Sequence, residues 1–353
     1  MNLTLHRLGG FGVLALAVAL LAAACGGNGD DAGPTGEGDS LRGAELLLYS
    51  GRNQNLVQPA LDAFEEQTGI KVKVRYASSA AIAATILEEG RNSPADVVLL
   101  QDAGALGALA GEGVLDRLDD ELLGRVDAKF RSPEGLWVGT SGRARTVIYN
   151  TEAIDPETDL PDSILGFTDP KWKGRIGWAP TNGSFQAFVT ALRVQLGEEG
   201  ARSWLKGVKA NKPKAFSSNT PIVAAVEAGE IDVGFVNHYY LHRFLDERGE
   251  GFKARNYYYT GGDPGALVNV AGVGILRSSD AKAAARRFID YMLGVEAQTY
   301  FATQTHEFPL AANVPSPEGV PSLQQLDPPD IDLSNLADLR GTLDLLRDVG
   351  ILN

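Results

Sequence analysis

The sequence is poor in the residues that build most disulfide and metal sites. It contains one cysteine, Cys25, and four histidines among 353 residues. An intrachain disulfide and a multi-cysteine zinc site are therefore both excluded. Basic residues are also outnumbered, because 32 Lys and Arg stand against 45 Asp and Glu, for a net charge of −13. A nucleic-acid-binding protein needs a basic face, so this balance argues against nucleic acid as a partner.

Long apolar runs are equally scarce. The apolar stretch at residues 8–24 is short for a membrane-spanning helix, and its position predicts a signal peptide over residues 1–24. It ends in Leu-Ala-Ala-Ala-Cys, which predicts lipidation of Cys25 and a lipoprotein anchor. An ordinary cleaved signal with an incidental cysteine is the alternative. Residues 25–44 are Gly-rich and acidic, which predicts a flexible tether.

From residue 45 onward, short apolar runs alternate with helical patterns. The order is strand, helix, strand, helix, strand, and the segments are residues 45–49, 56–68, 71–76, 80–89 and 96–100. Such an order predicts an α/β fold with mixed, largely parallel sheets and helices on both faces.

A short internal repeat suggests two similar halves. Ser78-Ser79 and the helix after it correspond to Ser217-Ser218 and the helix that follows, and an Asp-Val strand comes next in both copies, at Asp96 and Asp232. Two such halves suggest two lobes that face one cleft, with the ligand at the carboxyl ends of the strands. Chance similarity of a short, degenerate pattern is the alternative.

Two helix starts have the character of anion sites. Asn182-Gly183-Ser184 precedes one helical pattern, and Asn219 lies at the start of another. The free N–H groups and the positive dipole end of a helix attract carboxylate, carbonate or phosphate. The plain alternative is that these residues only cap their helices.

Two further pairs have both a structural and a functional interpretation. Arg143 and Arg145 are two residues apart in a strand pattern and share one face. One interpretation is that an arginine binds an anion through bidentate hydrogen bonds. The other is that both arginines lie at a solvated strand edge. Tyr239 and Tyr240 follow the polar Asn237, and tyrosines in such positions are often packing residues with a wet hydroxyl.

Several stretches of residues 45–314 together resemble one family. They are LLLYSGRNQNL, ADVVLLQDAGAL, GTSGRARTVIYNT, IGWAPTNGSFQAF, SSNTPIVAAVEAGEIDVGFVNHYYLHRF and DPGALVNVAGVGILRSS. The chain resembles the ferric-iron-binding members of the extracellular solute-binding proteins that feed ABC importers. The resemblance implies a two-lobed clamp of the type II periplasmic-binding-protein kind, joined by crossover strands. The N-terminal lobe would comprise residues 45–145 with 270–314, and the C-terminal lobe residues 146–269 with 315–353.

The resemblance also implies a ligand set. Tyr239 and Tyr240 would bind Fe³⁺ as phenolates, which suits a hard cation, while Asn53 and Gln101 would contribute more weakly. Many family members carry a His and a Glu at those last two positions, so this chain has neutral residues there. It would therefore depend more on a synergistic carbonate or phosphate. The residues implied for that anion are Asn182, Gly183, Ser184, Asn219, Asn237 and Arg143.

These features together predict a function. The chain is expected to be a monomeric, lipid-anchored, extracytoplasmic substrate-binding component that works with an ABC permease and ATPase. No nucleophile–base set or phosphate-loop motif stands out, so no enzyme activity is expected. The same-class alternative is a binding protein for an organic anion such as a phosphonate, a sugar phosphate or a thiamine-like solute. A metal-assisted hydrolase and an adhesive surface lipoprotein are alternatives from other classes.

Overall fold

The structure is a computed structural model, and it describes residues 41–353. The predicted signal peptide, Cys25 and most of the predicted tether lie outside the described residues. Within residues 41–353, no helix combines the length and the hydropathy that a membrane crossing requires.

The first part of the chain forms a parallel unit around one central strand. Strand β1 pairs in parallel with β2 on one side and with β3 on the other. The elements of this part are β1 (Glu45–Ser50), α1 (Gln54–Thr68), β2 (Lys71–Tyr76), α2 (Ser79–Glu89), β3 (Val97–Leu100), α3 (Ala103–Gly111) and α4 (Asp120–Leu123). The predicted order of strands and helices is thus confirmed. Helix α1 stops at Gly69, whose φ of 70° is a left-handed conformation that glycine adopts without strain.

One long strand connects this unit to the next. Strand β4 (Val138–Asn150) has 13 residues, of which 12 are buried and Tyr149 is half-buried. Its first part pairs antiparallel with β9 (Val268–Ile275), and its second part pairs antiparallel with β7 (Val233–Asn237) and β8 (Ala254–Tyr257). Strand β4 is therefore shared by both sheet regions, and both of its faces are covered.

The second part of the chain repeats the parallel arrangement. Strand β5 pairs in parallel with β6 and with β7. The elements are β5 (Ile176–Trp178), α5 (Gly183–Ala210), β6 (Lys214–Ala215), α6 (Asn219–Glu227) and α7 (Tyr239–Arg248) around β7. The succession α6, β7, α7 matches α2, β3, α3 of the first part, as the repeat predicts. Among the named strands of the described residues, every antiparallel pairing involves β4 or β9, and the other pairings are parallel. The predicted mixed, largely parallel α/β fold is thus confirmed.

The remaining elements complete the layers on the sheets. They are α8 (Lys282–Met292), α9 (Val295–Gln304), β10 (Phe308–Pro309), α10 (Leu323–Leu326) and α11 (Leu339–Asp348). Short 3-10 turns lie at Gly90–Asn92, Ala128–Phe130, Ile164–Thr168, Pro170–Trp172, Pro264–Ala266 and Leu333–Ala337. Because Leu41–Asn353 packs as one compact unit, the predicted boundaries between two lobes stay a prediction.

The C-terminal segment touches both parts of the fold. The turn Leu333–Ala337 packs on α3, and α11 packs on α5. Two glycines of α3 permit the close approach, since a Cβ at Gly104 would lie 2.4 Å from the Leu336 carbonyl oxygen, and a Cβ at Gly107 would lie 2.3 Å from that of Ser334. The segment therefore runs across the molecule rather than along one side of it.

Candidate functional site

A cavity of about 600 Å³ lies where the carboxyl ends of strands from both parts of the fold meet. Its wall includes the first turns of α2, α3, α5 and α7, which follow β2, β3, β5 and β7 after connections of one to four residues. In open α/β sheets this edge is the usual place for a ligand. The convergence of four helix N-termini also supplies unpaired N–H groups and partial positive charge.

The two predicted tyrosines lie in this cavity as a stacked pair. Their ring centroids are 4.4 Å apart, with an interplanar angle of 28°. Tyr239 is buried and Tyr240 is half-buried at the start of α7. Burial, with a smaller effect of the Tyr240 phenol, raises the pKa of Tyr239 well above its usual value of 10. Both phenols are therefore side by side, and Tyr239 is fully protonated at neutral pH when no cation is present.

Three of the predicted anion residues, Asn182, Ser184 and Asn219, form one hydrogen-bonded cluster, in which Asn182 and Ser184 line the cavity and the buried Asn219 lies behind them. The Asn182 Oδ1 accepts from the Ser184 N–H at 3.0 Å, from the Ser184 hydroxyl at 2.6 Å and from the Asn219 Nδ2 at 3.3 Å. Capping of α5 by Asn182 is thus confirmed, and the cap also aligns the Ser184 and Asn219 side chains. Gly183 lines the cavity, and a Cβ there would meet nothing within 4 Å. The backbone at this turn is consequently open to a bound group.

Arg145 lies in the cavity wall although the predicted ligand set does not include it. It lines the cavity and is 2% exposed. Its Nη2 donates to the Phe235 carbonyl at 2.7 Å, and its Nη1 reaches the Ser184 hydroxyl and the Asn237 Oδ1, both at 3.4 Å. The Nε atom is buried without a partner, and within residues 41–353 no carboxylate forms an ion pair with this guanidinium. Burial lowers the pKa of Arg145 from 12.5 to about 9, so it remains charged at neutral pH.

Arg143 is also buried in the cavity wall. Its Nη2 donates to the Gln101 carbonyl, and its Nε has no partner. Burial lowers the pKa of Arg143, although the nearby Glu307 opposes this effect. The interpretation of Arg143 and Arg145 as a solvated strand edge is therefore wrong, because β4 is covered on both faces. The sequence shows that the two arginines share one face of a strand. It does not show that both faces of this strand are covered.

The two weaker predicted ligands, Asn53 and Gln101, differ from each other in position. Gln101 lines the cavity, and its Oε1 is buried without a hydrogen-bond partner. Asn53 is exposed, caps α1 by accepting the Asn55 N–H at 3.0 Å, and is not among the cavity-lining residues. The structure thus brings Gln101 to the tyrosine pair and leaves Asn53 apart. Asn237 does reach the cavity, where its Oδ1 faces Arg145.

The cavity is positively charged although the protein is acidic. Two guanidinium groups line it, those of Arg143 and Arg145, against the single carboxylate of Asp102. That carboxylate already accepts the Ala105 N–H at 3.0 Å as the N-cap of α3. Buried charges are costly unless they are compensated. The cavity therefore attracts an anion, whether or not a cation is also bound.

The phenols are the hard anionic donors available to a trivalent cation. No group of three or more His, Cys, Asp and Glu residues within the described range is arranged to hold a metal. Fe³⁺ prefers anionic oxygen ligands and makes deprotonation of a phenol favourable. The tyrosine pair, the unpartnered Gln101 oxygen and an anion beside the two arginines therefore suit a ferric ion.

Buried polar contacts behind the site fix the start of α7. His238 precedes the tyrosine pair, its Nδ1 accepts the Ala144 N–H at 3.1 Å, and its Nε2 donates to the His306 carbonyl at 2.6 Å. Burial lowers the pKa of His238 to about 3, so the ring stays neutral. Glu307 forms a buried bidentate ion pair with Arg52, at 3.0 and 3.1 Å. The His238 contacts anchor the start of α7 to β4 and to the loop before β10, and the ion pair joins that same loop to the segment after β1.

Sequence comparison places the chain among transport proteins. The family described as bacterial extracellular solute-binding protein matches residues 92–335. The major ferric iron-binding protein of Neisseria meningitidis serogroup B is 35% identical over 311 residues, which are 87% of this chain and 93% of that protein. The Fe(3+)-binding periplasmic protein of Serratia marcescens is 32% identical, and the alignment covers 87% of this chain and 90% of that protein.

Solved structures with similar folds agree with the sequence matches. Iron-bound HitA from Pseudomonas aeruginosa superposes with a TM-score of 0.79 at 36% identity, covering 87% of this chain and 99% of that one. A Trichodesmium IdiA (FutA) structure with iron and citrate ligands has a TM-score of 0.75 at 28% identity, covering 87% and 99%. The neighbouring folds are thus those of type II periplasmic binding proteins, as the sequence analysis predicted.

Proposed function

Because the chain belongs to the bacterial extracellular solute-binding protein family, we propose that it is the substrate-binding component of an ABC importer for ferric iron. The observation that carries this proposal is the stacked tyrosine pair, Tyr239 and Tyr240, in a cavity with two buried arginines. The similarity to proteins named for ferric iron binding supports the same ligand. The role is transport rather than catalysis, with an ABC permease and ATPase as partners.

Charge balance in the cavity requires an anion beside the iron. Two phenolates leave one positive charge of Fe³⁺ uncompensated, and Arg143 and Arg145 add two more, against one negative charge on Asp102. A net positive charge of this size is unfavourable away from water. We expect carbonate or phosphate to supply the missing negative charge, held by the Asn182–Ser184 turn, Asn219, Asn237, Arg143 and Arg145. Gln101 contributes a neutral oxygen.

Metal analysis tests the iron assignment directly. The protein is purified without chelator, and iron, zinc and bound anions are quantified by native mass spectrometry and elemental analysis. The proposal predicts about one iron per chain after loading with a weak ferric chelate, and a mass increment for the accompanying anion. Loading with no iron retained, or with zinc retained in preference to iron, would contradict the proposal.

A lipid anchor at Cys25 is a separate proposal, which rests on the sequence alone. The apolar stretch ends in small residues directly before this cysteine, and attachment of two or three acyl chains holds a protein firmly at a membrane. Cys25→Ser is expected to release the full-length protein from the membrane fraction of cells. If the variant remains in that fraction to the same extent as wild type, the cysteine is not the anchor.

A further inference from the structure

The C-terminal segment forms one wall of the ligand cavity. We call residues 333–339 the strap. Three of its residues, Leu336, Ala337 and Leu339, line the cavity together with the helix starts described above. The strap contains no tyrosine or arginine, so it lacks the side chains that indicate the iron site.

The strap is fixed on both sides of the cavity. On the side of α3, the backbone of the strap lies against Gly104 and Gly107. A Cβ at either glycine would collide with a carbonyl oxygen of the strap. On the side of α5, Asp338 pairs with Arg193 at 2.8 Å. Just beyond the strap, the Thr342 hydroxyl is 2.7 Å from that of Thr190. A wall held at both ends has a defined distance from the opposite side of the cavity.

Part of the cavity wall is apolar. Helices α3 and α5 contribute Ala105, Ala108 and Ala187 to it, and the strap contributes Leu336, while Gln186 and Thr190 of α5 add polar groups. Leu336 is 4% exposed, so its side chain fills space inside the protein rather than in solvent. The 600 Å³ volume lies within the range of small-molecule sites, roughly 300–1,000 Å³. It exceeds what a ferric ion with one small inorganic anion occupies, since a water molecule takes about 30 Å³.

We propose that Leu336 is a specificity-determining residue that sets the upper size of the anion bound with iron. Its side chain bounds the space beyond the tyrosines and arginines, where the body of a larger anion has to lie. Small anions such as carbonate do not extend that far. An organic polycarboxylate places its carboxylates beside Arg143 and Arg145 and its carbon skeleton against the strap. The inference rests on the proposed function, because the anion matters only where iron is bound with it.

Leu333 provides a matched control for Leu336. Both leucines belong to the same 3-10 turn and are buried, with exposures of 3% and 4%, but only Leu336 lines the cavity. Truncation of either leucine weakens the packing of the turn on α3. Only truncation of Leu336 enlarges the space for an anion. If the size of the cavity decides which anion binds, only Leu336→Ala changes the anion preference. If loosening of the turn is the cause, both variants change it.

The experiment compares anions of different size in wild type, Leu336→Ala and Leu333→Ala. Ferric affinity is measured with carbonate and with citrate as the only added anion, and the ratio of the two affinities is the readout. We expect Leu336→Ala to raise the citrate-to-carbonate ratio about tenfold, the lower end of the effect of one methylene in a hydrophobic pocket, while Leu333→Ala leaves it unchanged. If Leu336→Ala does not fold, Leu336→Val tests the same direction.

The possible outcomes distinguish this inference from the proposed function. An unchanged ratio in Leu336→Ala, or an equal change in both variants, overturns the role of Leu336 and leaves ferric binding intact. Absence of ferric binding in wild type with either anion overturns both. A lower ratio in Leu336→Ala also contradicts the inference, because it would mean that citrate relies on contact with the leucine rather than being limited by it.

Discussion

Replacement of Arg145 by methionine should weaken ligand binding without weakening the empty protein. The guanidinium is buried and has no carboxylate partner among the described residues. Its pKa of about 9, in place of 12.5, corresponds to about 5 kcal/mol of lost preference for the charged form. At neutral pH the charged Arg145 therefore lowers the stability of the empty protein. A bound anion compensates the charge and removes this free-energy penalty.

The substitution is expected to leave the stability of the empty protein equal or higher and to lower the affinity for the ligand. Replacement of a buried charge by an apolar side chain of similar volume is often neutral or stabilising by about 1–4 kcal/mol, and loss of the hydrogen bond to the Phe235 carbonyl offsets about 1 kcal/mol of that gain. The unfolding free energy of the empty Arg145→Met protein should thus be equal to or higher than that of wild type. Loss of a buried partner for a bound anion costs about 2–5 kcal/mol, or roughly 30-fold to several-thousand-fold in affinity.

Two assays measure the two effects. Urea unfolding of the empty proteins gives the stability difference, and competition with a weak ferric chelate in the presence of carbonate or phosphate gives the affinity. Arg75→Met is the control, since Arg75 is half exposed and pairs with Glu89 outside the cavity. It should leave iron affinity unchanged. A strongly destabilised Arg145→Met protein with wild-type affinity would refute the reasoning, because Arg145 would then be a structural residue.

The pH dependence of stability provides a further check on Arg145. The pKa of Arg145 is lower in the folded protein than in the unfolded chain. Between about pH 9 and 12.5, the unfolded chain therefore holds more protons than the folded protein does. Stability therefore rises with pH in that window, and the penalty is present in full below it. The stability of wild type relative to Arg145→Met should increase as the pH is raised above about 9.

Three other predictions follow from the same geometry. Iron affinity should fall in acid because binding displaces protons from phenols, and the raised pKa of Tyr239 means about a tenfold loss per pH unit for each proton released; an affinity that is independent of pH between 6 and 8 would contradict phenolate ligation. Glu307→Gln should lower the unfolding free energy by about 3–5 kcal/mol, since it leaves Arg52 buried without its carboxylate; urea titration measures this, and a change below 1 kcal/mol would show that the pair is not needed. Iron with anion should reduce the radius of gyration if ligand holds the two parts of the fold together; small-angle scattering of the empty and loaded protein tests this, and equal radii at saturation would argue against closure.

Most of the architecture follows from periodicity in the sequence. Strand β2 alternates in the pattern KVKVRY and is observed over the predicted residues 71–76. Helix α2 begins where Ser78 caps it and ends at Gly90, as caps and glycines indicate. The repeat also placed β3 and β7 in equivalent positions. These features are local, so a single sequence contains enough information to predict them.

The parts of the site that depend on tertiary packing were not predictable in this way. Arg145 is buried because β4 passes between two sheet regions, and nothing in its local sequence shows that both faces are covered. Leu336 lines the cavity because the turn at Leu333–Ala337 lies against two glycines of α3. The sequence around Leu336 has helical periodicity but no motif that indicates a binding or catalytic residue. Its position in the cavity wall depends on long-range contacts alone. Asn53, in contrast, keeps the local role of an N-cap.

The most direct test of the central claim is a ferric titration followed by visible absorption. Wild type, Tyr239→Phe, Tyr240→Phe and Tyr258→Phe are titrated with a weak ferric chelate in the presence of carbonate or phosphate. Tyr258 is the control because it is a half-buried tyrosine that does not line the cavity. We predict a phenolate-to-iron band in wild type and Tyr258→Phe, with a weaker band and lower affinity in each of the other two variants. Absence of a visible band in wild type with either anion, together with unchanged behaviour of Tyr239→Phe and Tyr240→Phe, would contradict ferric binding by the tyrosine pair.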